Sequence, residues 1–94
     1  MTGSTILVVD DQADLTDLIK FNLERKGHRV LTAADGESAL HIARSRLPDL
    51  IILDLMLPKK NGREVALALR SEPSTRAIPT VSYTHLTLPT NREV

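Results

Sequence analysis

The sequence predicts an α/β chain organised around a doubly wound parallel sheet, and three observations carry that prediction. Two short runs, residues 6–9 and 50–53, are apolar at every position, as strands buried on both faces are. Segments with apolar residues at helical spacing alternate with these runs. Glycine, proline and capping residues mark the junctions, so the connections are short and a βαβαβαβ order with right-handed crossovers follows.

The first strand, Ile6-Leu7-Val8-Val9, stops at Asp10 and Asp11. Leu15, Leu18, Ile19 and Leu23 then make one helical stripe, which Gly27 ends as a left-handed residue. Arg29 to Ala33 is a second strand, more polar than the first and so nearer an edge. Asp35 caps a second helix bearing Ala39, Ala43 and Leu47, and Pro48 stops it. Leu50-Ile51-Ile52-Leu53 is a third strand, again ending at an acid, Asp54. Asn61 and Glu64 resemble a capping box ahead of Val65, Ala68 and Leu69, with Pro73 past the helix end. Residues 78–81 form a fourth strand entered through Pro79.

Composition narrows the function classes. A chain of 94 residues with 41% hydrophobic residues forms one small domain with a packed core. Lys plus Arg total 12 and Asp plus Glu total 12, so no net charge draws the chain to nucleic acid or to a membrane surface. Cysteine is absent, which excludes disulfides and thiolate metal sites. The apolar runs fall far short of the roughly 20 residues that span a bilayer. Met1-Thr2-Gly3-Ser4 has neither the basic nor the apolar region of a signal peptide, so a soluble cytoplasmic domain is expected.

The chemistry lies in strand-end acids. Ligands of open α/β sheets bind beyond the carboxyl ends of the strands, where strand order reverses. With the order 2-1-3-4, that point falls between strands one and three, and Asp10, Asp11 and Asp54 converge there. Three carboxylates this close repel and call for protons or a cation. Mg2+ suits a site with few carboxylates and remaining waters. A carboxylate beside it can act as a nucleophile and hold an acyl phosphate. Taken singly, Asp10 and Asp11 also read as the polar start of a loop or a helix cap. Asp54 follows four buried aliphatics, a costly place for an acid without a use.

Residues 6–11 (Ile-Leu-Val-Val-Asp-Asp), 48–58 (Pro-Asp-Leu-Ile-Ile-Leu-Asp-Leu-Met-Leu-Pro) and Asn61-Gly62 together resemble a response-regulator receiver domain of two-component systems. The resemblance covers residues 4–81, and Leu55-Met56-Leu57-Pro58 after Asp54, with residues 74–79 later, is most similar to receivers that precede winged-helix DNA-binding domains. It implies a flavodoxin-like receiver fold whose fifth strand and last helices are missing. It further implies a phosphorelay module, not an enzyme with a separate substrate. Asp54 would accept the phosphoryl group from a sensor histidine kinase. Asp11 would ligate Mg2+ directly, Asp10 mainly through water, and Met56 through its backbone carbonyl. Thr84 falls on the family's switch hydroxyl, whereas the family's lysine after the fifth strand has no counterpart beyond Lys60. Pro58 and Gly62 would shape the loop beside the site, and any DNA binding would belong to a domain beyond this segment.

Residues 82–94 have no helical stripe and resemble translated sequencing-adapter read-through, so the natural sequence is expected to stop near Val81. The fourth strand would then be an exposed edge, and a truncated, inactive fragment is one alternative. An aspartyl-phosphate phosphohydrolase of haloacid-dehalogenase type is another. Such enzymes place a second acid two residues after the nucleophile, and Met56 stands there instead. A dinucleotide-binding fragment would need a glycine-rich turn where Asp10-Asp11-Gln12 stands.

Overall fold

The computed structural model describes residues 3–55 and 62–83. Its elements run β1 (Thr5–Val9), α1 (Ala13–Arg25), β2 (Arg29–Ala33), α2 (Gly36–Arg46), β3 (Leu50–Asp54), α3 (Gly62–Ser71) and β4 (Thr80–Tyr83). All strands pair in parallel in the order β2-β1-β3-β4, as the sequence predicts.

Alternation along the strands divides the core between two faces. On one, Leu7, Val9, Ile51 and Leu53 meet Ala39, Leu40 and Ala43 of α2 and Val65 and Leu69 of α3. On the other, Ile6, Val8 and Val30 pack with Ile19 and Leu23 of α1. The first face has the larger buried cluster, since α2 and α3 both contribute to it while, among the described residues, α1 covers the other.

The stops are built as the sequence suggests, with two exceptions. Gly27 has φ of 93°. The His28 N–H reaches the Leu23 carbonyl at 3.1 Å and the Gly27 N–H the Glu24 carbonyl at 3.0 Å, a Schellman ending for α1. Asp35 caps α2 by accepting from the Ser38 N–H at 2.9 Å. Leu47, expected on the buried stripe of α2, instead caps its C-terminus with φ of 47° and is 52% exposed. A left-handed Leu costs about 1–2 kcal/mol. Glycine there would relieve most of this and lose part of the gain to unfolded-chain entropy. Leu47→Gly is therefore expected to stabilise the chain by about 0.5–1 kcal/mol in urea melts.

The second exception is β4, which spans Thr80–Tyr83 and not 78–81. Proline lacks the N–H a ladder needs, so Pro79 stands just before the strand and contributes only its carbonyl, which accepts from the Ile51 N–H at 3.0 Å. Ser82 and Tyr83, assigned by sequence to the tail, continue the pairing opposite Leu53 and Asp54. Val81 lies beside Ile52 on the α1 face and is 55% exposed. The expected Asn61 cap lies outside the described residues.

Candidate functional site

Asp10 directly follows β1, and the adjacent sheet position anchors it: its N–H donates to the Ala33 carbonyl of β2 at 3.1 Å. It is 2% exposed. Its Oδ1 accepts from the Gln12 N–H at 2.7 Å, which tightens the turn into α1. Thr16, buried in the first turns of that helix, donates to the Gln12 carbonyl at 3.0 Å and lies 3.4 Å from the Asp10 carbonyl. Asp11 is exposed at the mouth of the site, whereas Asp54, the last residue of β3, is fully buried.

Strands β1 and β3 are neighbours, so their ends bring the three acids together. Asp10, Asp11 and Asp54 each offer a carboxylate oxygen, and these oxygens lie within 4.8 Å of one another. Among the described residues they form the site's donor set, and it is all oxygen, as a hard divalent cation requires. An open groove of about 320 Å³ flanks Asp10 and Asp11 on the β2 side, with Asp17 and Thr32 in its wall. Met56 and Thr84 lie outside the described residues, as do Pro58, Lys59 and Lys60.

Gly62 enters the site for a different reason from the one its sequence suggests. A Cβ there would stand 2.4 Å from the Asp54 carbonyl oxygen and 2.4 Å from Leu55 Cα. The start of α3 is thus pressed against the backbone at the end of β3, and the Gly62 N–H donates to the Leu55 carbonyl at 3.0 Å. Close approach, not an unusual dihedral angle, selects glycine at this position.

Sequence reasoning missed Tyr83. Its hydroxyl donates to Asp10 Oδ2 across the end of the sheet. Burial pushes the phenol pKa up, and the hydrogen bond to Asp10 and the negative charge of the three acids push it further, so it remains a donor. A lone tyrosine in a polar stretch carries no periodic signal. Only the β3–β4 register places it at the acids.

The described helices include none long and apolar enough to cross a membrane. The sequence profile of the response regulator receiver domain matches residues 6–93. The chain is 54% identical over 67 residues to the alkaline phosphatase synthesis transcriptional regulatory protein PhoP of Bacillus subtilis, covering 71% of this chain and 28% of that protein. It is 40% identical over 84 residues to the phosphate regulon transcriptional regulatory protein PhoB of Pseudomonas aeruginosa, covering 89% of this chain and 37% of that one. The chain thus spans about a third of such relatives' length. Among solved structures, the N-terminal domain of a response regulator receiver protein from Methanoculleus marisnigri matches with a TM-score of 0.83 at 39% identity, covering 92% of this chain and 72% of that one. The receiver domain of sensor histidine kinase PA1611 from Pseudomonas aeruginosa, whose structure has a magnesium ion coordinated in the active site cleft, matches with a TM-score of 0.81 at 30% identity, covering 85% and 66%. Sheet order, acidic pocket and sequence agree: this chain belongs to the response regulator receiver domain family.

Proposed function

We propose that this chain is the phosphoacceptor module of a two-component phosphorelay, taking a phosphoryl group from a sensor histidine kinase onto Asp54. The observation that carries the reading is a fully buried acid at a strand end, with two further carboxylates within 4.8 Å. Burying a charge among aliphatics is costly, and the position is explained if the carboxylate serves as a nucleophile. Asp10, Asp11 and Asp54, with the Met56 carbonyl, would hold Mg2+, and the oxygen-only donor set fits that ion. Mg2+ when bound supplies positive charge that screens an incoming phosphoryl group from the acids. Asp54 attacks phosphorus, the bond from phosphorus to the donor breaks, and an aspartyl phosphate results. Asp10, tethered through the Gln12 N–H, keeps its carboxylate facing the site. Thr84 stands at the family's switch-hydroxyl position, a coincidence if the tail is read-through, and the output in a longer parent is transcription, as the relatives' roles as transcriptional regulators suggest.

The receiver module proper is assigned to residues 4–81, with 82–94 as a read-through tail whose first two residues, Ser82 and Tyr83, complete β4 in this chain; sequencing the coding DNA checks this directly. Incubation with Mg2+ and a small acyl phosphate, followed by intact mass measurement, tests the function. One phosphoryl adduct is expected, absent in Asp54→Asn and absent when Mg2+ is chelated. A folded chain without an adduct would refute the reading.

A further inference from the structure

Tyr83 is the chain's single tyrosine, and the chain has no tryptophan. Its Cα stands opposite Asp54 in the β3–β4 register, yet its hydroxyl reaches past that residue to Asp10 Oδ2. The other oxygen of Asp10 accepts from the Gln12 N–H. Both oxygens of this nearly buried carboxylate are therefore engaged by protein donors. The two bonds differ in kind. That from Gln12 is a backbone bond inside a tight turn. That from Tyr83 comes from a partly buried side chain at the end of β4, which a change of rotamer can withdraw.

We propose that Tyr83 is an internal occupant of the acidic site: its hydroxyl holds the Asp10 oxygen that faces an incoming divalent cation, and it withdraws when the cation binds. The proposal rests on reading Asp10, Asp11 and Asp54 as a cation site. Three clustered carboxylates repel, and an O–H dipole with its positive end toward them offsets part of that repulsion. A divalent cation does the same with full charge. The phenol proton and the cation would then crowd one oxygen with their positive ends together, so the two compete. Tyr83 thereby sets how much free cation is needed before the site fills.

The test uses the full 94-residue chain and its Tyr83→Phe variant. Mn2+ binding is counted from the electron paramagnetic resonance of the free ion, and Mg2+ is titrated against tyrosine emission. Phenylalanine keeps the ring and removes only the hydroxyl. Tyr83→Phe is expected to bind Mn2+ about tenfold more tightly, the scale of one lost hydrogen bond. In the unsubstituted chain, Mg2+ is expected to raise tyrosine emission, because a phenol bonded to a carboxylate is quenched. Equal or weaker Mn2+ binding by Tyr83→Phe overturns the proposal, and so does emission indifferent to Mg2+; either leaves the cation site standing. No Mn2+ binding by either chain overturns the cation reading itself, and this proposal with it. Should Tyr83→Phe fail to fold, the emission titration of the unsubstituted chain decides alone.

Discussion

Gly62→Ala is expected to displace the C-terminal end of β3 and to abolish the proposed phosphoryl adduct although no acid is substituted. The added Cβ would meet the Asp54 carbonyl oxygen and Leu55 Cα at 2.4 Å, more than 1 Å inside the roughly 3.5 Å at which such atoms rest in contact. Both are backbone atoms, so no rotamer change relieves the clash. Either α3 retreats, giving up the bond from the Gly62 N–H to the Leu55 carbonyl, or residues 54–55 shift and carry Asp54 away from Asp10 and Asp11. Overpacking of this kind costs about 1–3 kcal/mol, and a clash with backbone belongs at the upper end. Urea melting and intact mass after acyl phosphate treatment check the two halves. Unchanged stability together with a normal adduct would show that α3 does not press on β3.

Leu7→Ala is expected to cost about 3–4 kcal/mol, the range for deleting a fully buried leucine. Leu7 is completely inaccessible and lies at the centre of the sheet, in register with Leu31 on one side and Ile51 on the other. Its neighbours belong to regular strands on both sides, so little can collapse into the space left behind. Small domains have a total stability of about 5–15 kcal/mol. The variant would thus lose a large share of its stability and melt far below the parent in circular dichroism. A loss under about 1 kcal/mol would mean that the sheet centre repacks freely.

The sheet and the acid cluster were legible because uniform apolar runs and strand-end acids depend on local residue types and on one topological rule. Residues 6–9 and 50–53 lie within β1 and β3, and Asp10, Asp11 and Asp54 meet as the reversal of strand order demands. The failures share a physical origin. Leu18 was placed on the buried stripe of α1 but is 54% exposed, while Thr16 is buried. Thr16 tolerates burial because its hydroxyl bonds to the Gln12 carbonyl, a satisfaction that hydropathy spacing does not count. Thr75 escaped notice in the same way: it is 1% exposed and donates to the Leu69 carbonyl at 2.7 Å, closing the end of α3. Tyr83 was invisible for a second reason: it acts on Asp10, 73 residues away in sequence, and only the assembled sheet makes the contact. Gly62 was singled out, but for the shape of its loop, because its close approach to the Asp54 and Leu55 backbone exists only once α3 has packed.

The placement of the acids also ties ligand chemistry to the kinetics of folding. Asp10 and Asp11 leave β1, whereas Asp54 leaves β3, with β2 and two helices between them in sequence. The cluster therefore does not exist until the β1–β3 ladder has closed a long loop, an entropically costly step. A cation that recognises all three carboxylates binds the native state and scarcely binds the open chain, so it adds stability in proportion to the logarithm of its concentration. If β1 and β3 pair late, that stabilisation appears as slower unfolding with folding unaffected; if they pair early, folding itself accelerates. The two limbs of a chevron, recorded with and without Mg2+, would thus time the pairing of the two central strands.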